Sequence, residues 1–241
     1  PLGAVFLVDV ITAAIAITIL GFFLPVAPHE KAKQPQTTSY FTDMKMGFRY
    51  IRDHRYLMTF FAYISVIFFL ITPAAFLTPL QTVRSFGSDV WRLTAIEIVF
   101  SVGMMLGGGI IASWGGFKNR MYTMLLSNSI MAICTIALGI APIFWLYLVF
   151  MGIFGIAMPF YNTPSTVMIQ EHVEEAYLGR VFSVMTMLST SLMPLGMLLF
   201  GPLAEVIRIE TLLLVTGALM LLLAFTIPFN RTLVQSGIPR V

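Results

Sequence analysis

The stretch Thr211-Leu-Leu-Leu-Val-Thr-Gly-Ala-Leu-Met-Leu-Leu-Leu-Ala-Phe-Thr-Ile-Pro228 carries no charged side chain. A helix needs roughly 20 predominantly apolar residues to cross about 30 Å of hydrocarbon, so this run reads as a transmembrane span. Six further stretches read the same way: Leu2–Val26, Leu57–Leu80, Leu93–Trp114, Met121–Ile140, Ile143–Ile169 and Val181–Pro202. Composition agrees, with 58% hydrophobic residues, 10% charged residues and a mean hydropathy of +0.90. A soluble domain carries about 25% charged residues to solvate its surface, so lipid must cover this chain. The expected fold is all-α, a polytopic membrane bundle of about seven transmembrane helices.

Pro73, Pro79, Pro159, Pro164, Pro194 and the run Gly107-Gly108-Gly109 punctuate the spans. In a membrane bundle, neighbouring helices and Ser/Thr side chains satisfy the backbone groups that such residues free, so kinks are tolerated. Basic residues set the expected orientation. With the C-terminus inside, the cytoplasmic segments hold Lys31, Lys33, Lys45, Arg49, Arg52, Arg55, Lys118, Arg120, Arg180, Arg231 and Arg240. Only Arg84, Arg92 and Arg208 of the fourteen then lie outside, as the positive-inside rule requires.

The long loop after the first span becomes periodic near its end. Phe41, Met44, Phe48 and Ile51 recur at spacings of three and four, with Lys45, Arg49 and Arg52 elsewhere on the wheel. That pattern predicts an amphipathic helix on the inner membrane face; the alternative is a linker helix packed on other protein. The expected organisation is a span over 1–27, a cytoplasmic loop over 28–56, six spans over 57–229 and a cytoplasmic tail over 230–241. One span, a basic loop and six spans make sense as the sixth helix, central loop and second half of a twelve-helix protein.

Residue motifs carry a resemblance. Ser113-Trp-Gly-Gly-Phe-Lys-Asn-Arg120 follows Glu97-Ile-Val-Phe-Ser-Val-Gly-Met-Met-Leu-Gly-Gly108, and Asn162-Thr-Pro164 and Leu178-Gly-Arg-Val-Phe-Ser183 come later in the chain. In that order the chain resembles the major facilitator superfamily, within its drug-efflux branch that includes Mef-type macrolide exporters and enterobactin exporters. The resemblance implies drug–proton antiport by alternating access. One departure is plain: Ser113 and Trp114 stand where the family's loop signature has Asp-Arg, so that charge relay is absent here. The loop motif that remains is Gly115, Gly116, Lys118 and Arg120, with Arg180 at the next loop. The glycines suit a left-handed helix end, and the cations favour the cytoplasmic side.

Asp9 and Glu97 are the ionisable residues well within spans. A charge at the bilayer centre costs at least about 2.5–3.5 kcal/mol, so such residues face a cavity or a partner. Both are candidate proton-coupling or substrate-binding acids. Glu97 heads a helical face with Ser101, Met105 and Gly108; the plainer reading has it reach headgroup water and pair with Arg92 or Arg84. Ser101, Met105, Asn162, Thr186 and Met193 are candidate cavity residues, because flexible thioethers and hydroxyls suit a pocket that repacks around varied substrates. Gly103 and Gly107 have the spacing of a helix-packing motif.

The expected function is proton-coupled export of amphipathic drug-like compounds such as macrolides. A siderophore or metabolite exporter of the same fold is the alternative, and a seven-helix receptor or structural membrane protein a more remote one. A retinal pump needs a lysine in the last span, which has none, and hydrolase and kinase signatures are absent, so no catalytic residue is expected. His29, His54, His172 and the single Cys134 have no ligand spacing, so neither a metal nor a cofactor is expected. The expected partners are membrane lipid, the amphipathic substrate, protons and an N-terminal half of the same transporter, with no nucleic acid.

Overall fold

The computed structural model describes residues 2–23 and 40–238, without the side chains of residues 2–9, 20, 21, 23, 40 and 41. It divides into two units, Pro1–Tyr40 and Phe41–Val241. The first holds helix α1 (Leu2–Phe23), whose sequence is largely apolar with Asp9 as its one charged residue. All regular structure among the described residues is helical. After α2 (Tyr40–Asp53) come α3 (Arg55–Leu70), α4 (Thr72–Phe76), α5 (Thr78–Phe86), α6 (Val90–Trp114) and α7 (Arg120–Ile140). Then follow α8 (Phe144–His172), α9 (Glu175–Val206), α10 (Ile209–Thr226), a 3₁₀ turn at Ile227–Phe229 and α11 (Arg231–Ser236). Among the described residues, five helices are long and apolar enough to cross a membrane: α6, α7, α8, α9 and the segment Ile209–Phe229. The chain is an all-α polytopic membrane bundle.

The stretch Leu57–Leu80, read from sequence as one span, is a kinked helix in three pieces. Breaks fall at Ile71 and Leu77, two residues before Pro73 and Pro79. Proline has no N–H to donate and crowds the preceding turn. Helical bonding still runs across each break: Ile71 N–H to the Ile67 carbonyl at 2.9 Å, and Leu77 N–H to that of Pro73 at 2.9 Å. Both break residues keep right-handed helical dihedrals, so α3, α4 and α5 continue as one bent helix, the bent span of the sequence reading.

Helix neighbours follow a pattern. α6 packs on α8 as α9 packs on α3 and α4; α7 packs on α8 as α10 packs on α3 and α4; α7 and α10 pack on each other. Exchanging α3–α5 with α8, α6 with α9, and α7 with α10 returns these principal pairs.

Buried polar side chains tie the helices where lipid could not satisfy them. Ser127 on α7 donates to the Ala157 carbonyl on α8 at 2.6 Å, and Asn128 donates to the Met220 carbonyl on α10 at 3.2 Å. Gln81 Nε2 on α5 donates to the Leu138 carbonyl at 3.0 Å, while Tyr147 OH on α8 donates to Gln81 Oε1 at 3.1 Å. The α6–α8 seam is backbone against backbone. A Cβ on Gly103 would meet the Gly152 carbonyl, one on Gly107 that of Ile156, and one on Gly155 that of Phe100. The Gly103/Gly107 spacing is therefore a packing device.

Candidate functional site

Where the bent span, α6, α8 and α9 converge, they enclose a cavity of about 160 Å³. Its walls include Thr78, Glu97, Phe100, Phe154, Met158 and Met193. The α6–α8 glycine seam positions Glu97: with Ile96, Gly103, Gly107 and Ile111 buried on the partner side of α6, Glu97 sits at the edge of that contact and remains exposed. It is seven residues into α6, about 10 Å along the helix.

Neither cation that could have neutralised it does so. Arg92 pairs with Asp89 at 3.2 Å and lies over the Trp91 and Phe144 rings. Arg84 donates to the Ala204 carbonyl at 2.8 Å. Glu97 makes no ion pair among the described residues. A carboxylate among methionines and phenylalanines can hold an organic cation, since aromatic faces and thioethers complement the apolar groups around an ammonium.

The sequence-derived cavity residues divide. Met193 joins Glu97 on the cavity wall. Ser101 and Met105 continue the Glu97 face of α6 but are exposed and do not line it, and Thr186 stands exposed on α9 two turns before Met193. Asn162 is exposed on α8 between Pro159 and Pro164. Asp9 belongs to α1, and its side chain lies outside the described residues. Sequence reading missed Thr78, Phe100, Met151 and Phe154. Met151, Phe154 and Met158 have helical spacing, a signal identical to that of ordinary core packing.

The loop-motif residues gather at the opposite end of the bundle, about 27 Å along α6 from Glu97. Gly115 and Gly116 end α6 with φ of 76° and 80°, and Gly115 N–H closes on the Ile111 carbonyl at 2.9 Å. Lys118 is exposed. Asn119 caps α7 by accepting from Met121 N–H and donates to the Val234 carbonyl of α11 at 2.8 Å. Arg120 pairs with Glu171 at the end of α8, and its N–H donates to the Gly237 carbonyl. Arg180 pairs with Asp43 of α2 at 3.0 Å.

Helix α2 lies on the start of α9 through Gly47, Tyr50 and Ile51. Gly47 abuts the Arg180 carbonyl and Val184, and Tyr50 stacks on Tyr177 at 4.4 Å. The Tyr50 hydroxyl accepts from Glu174 N–H. The apolar stripe read from sequence thus splits: Ile51 is buried while Phe48 is exposed, and the side chain of Phe41 lies outside the described residues. A wider cavity of about 570 Å³ opens at the far end beside Arg84, Arg208 and Glu210. Its charges are already engaged, Glu210 with Ser85 at 3.1 Å and Arg208 at 3.4 Å.

Residues 2–197 match the family model described as Major Facilitator Superfamily. Macrolide efflux protein A of Streptococcus pyogenes is 27% identical over 231 residues, covering 94% of this chain and 56% of that protein. Macrolide efflux protein A of Enterococcus faecalis is 28% identical over 200 residues, covering 81% of this chain and 61% of that protein. The chain therefore spans little more than half the length of these curated relatives. No solved structure matches.

Proposed function

This chain belongs to the Major Facilitator Superfamily, and on that premise we propose that it is the sixth helix and second half of a twelve-helix exporter that moves amphipathic drug-like compounds, macrolides among them, in exchange for protons. The family is one of transporters, not enzymes. The observation that carries the finer reading is the Glu97 cavity, an acid without an ionic partner where four spans meet. About 160 Å³ is below the roughly 300–1,000 Å³ of a pocket for a drug-sized ligand. This half would hold a charged substituent or a few waters, and a second half would supply the remaining wall.

Polar groups on the open faces support the same reading. Ser101, Asn162 and Thr186 are exposed on helices that cross the membrane, where hydrocarbon would leave them poorly satisfied. They suit a face turned to water or to the other half. Alternating access then follows from rocking two halves about a site near the midplane. In this reading the tail and the loops bearing Lys118 and Arg180 are cytoplasmic, in the cell membrane.

Full-length transporter in proteoliposomes tests the proposal. An imposed proton gradient should drive saturable macrolide uptake into inside-out oriented vesicles, and a protonophore should abolish it. Uptake that is indifferent to the gradient would overturn the coupling.

A further inference from the structure

The face of α2 turned away from α9 carries Lys45, Phe48, Arg49 and Arg52, which together border one open surface recess. Spacings of three and four place these residues on one side of the helix. Their exposure is not shared by the other side, where Gly47, Tyr50 and Ile51 are buried. Lys45 and Arg52 make no ion pair among the described residues, and Arg49 reaches only Asp53, at 3.9 Å with both side chains well exposed. Phe48 stands 41% exposed amid these cations.

We infer that this face is a binding site for an anionic phospholipid of the leaflet it borders. The position fits. A single bent residue, His54, separates α2 from the apolar helix α3, so α2 lies at the level where a span leaves the membrane. Three cations complement a phosphodiester, and Phe48 complements the glycerol and upper acyl carbons behind it. A soluble polyanion would satisfy the cations but leave Phe48 in water. The opposite side of α2 braces α9 through Asp43–Arg180 and Tyr50–Tyr177, so a lipid held here would also steady the helix that bears Met193.

Native mass spectrometry of the full chain, titrated with phosphatidylglycerol and separately with phosphatidylcholine, tests this. Each basic residue near an anionic surface is worth about a five-fold change in binding. Lys45→Gln, Arg49→Gln and Arg52→Gln should each weaken phosphatidylglycerol binding by about that factor, and together by about a hundred-fold. Phosphatidylcholine binding should not change, and neither should the response to Arg208→Gln, an exposed cation at the other end. The single variants carry the test if the triple variant loses helix content by circular dichroism. Equal phosphatidylglycerol binding by parent and variants overturns the inference. So does equal affinity of the parent for phosphatidylcholine, or displacement of the lipid by glycerophosphate at matching concentration, which would mark a site for soluble anions.

Discussion

Arg180 Nε donates to Asp43 Oδ1 at 3.0 Å across 137 positions of sequence, joining α2 to the first turns of α9. Both side chains are about a quarter exposed, so the pair is partly screened and its worth is modest, about 0.5–1 kcal/mol. In a double-mutant cycle, Asp43→Asn and Arg180→Gln should each raise hydrogen exchange over residues 40–53. Their combination should cost less than the sum of the two. Strict additivity would show that the pair is not coupled.

Glycines on α6 should divide sharply. Gly103→Leu drives a side chain into the Gly152 backbone, which has no rotamer with which to yield, and should cost about 3 kcal/mol or more. Gly108→Ala and Gly109→Ala meet nothing within 4 Å and remove helix-weakening glycines. Thermal unfolding in detergent should fall steeply for the first and hold or rise for the other two.

The buried Gln81–Tyr147 contact should show as a coupling between its two partners. Tyr147→Phe leaves Gln81 Oε1 without its donor, and an unsatisfied buried group costs about 1–3 kcal/mol. Gln81→Leu with Tyr147→Phe should cost less than the sum of the two singles, with the lost bond to the Leu138 carbonyl as the remainder. A double variant as unstable as the sum of the singles contradicts this.

Sidedness can be read from one contact. Asn119 and Arg120 hold the backbone of Val234 and Gly237, so the α6–α7 loop and the C-terminal helix share a membrane face. With Cys134 replaced by serine, cysteines at Lys118 and Gln235 should both resist an impermeant maleimide in whole cells. Labelling of both would invert the topology, and labelling of one alone would break the Asn119 contact.

The spans were legible because hydrocarbon imposes length and apolarity on any helix that crosses it, and runs such as Met121–Ile140 meet both demands. Gly115 and Gly116 were legible too, since a helix end needing positive φ favours glycine. The bend at Ile71 and Leu77 was not: proline in a membrane span can be absorbed or can break the helix, and only the packing decides. The face by which α2 docks on α9 was not legible, because periodicity ranks residues by hydrophobicity and passes over Gly47. Glycine gains its place there by letting backbones approach, which hydropathy does not measure. Glu97 stood out as an acid within a span, yet Phe100, Phe154 and Thr78 acquire meaning only once four spans close around them.

The claim at the centre of this account is that Glu97 couples export to protons. Glu97→Gln removes the charge while keeping size and hydrogen-bonding capacity, so proton-driven macrolide export by the full-length variant, followed across pH, isolates that role. The expected result is loss of proton-driven export with insertion and expression at parental levels, and a smaller effect from Asp9→Asn. Export at parental rates with unchanged pH dependence would contradict it and leave Glu97 an interfacial acid.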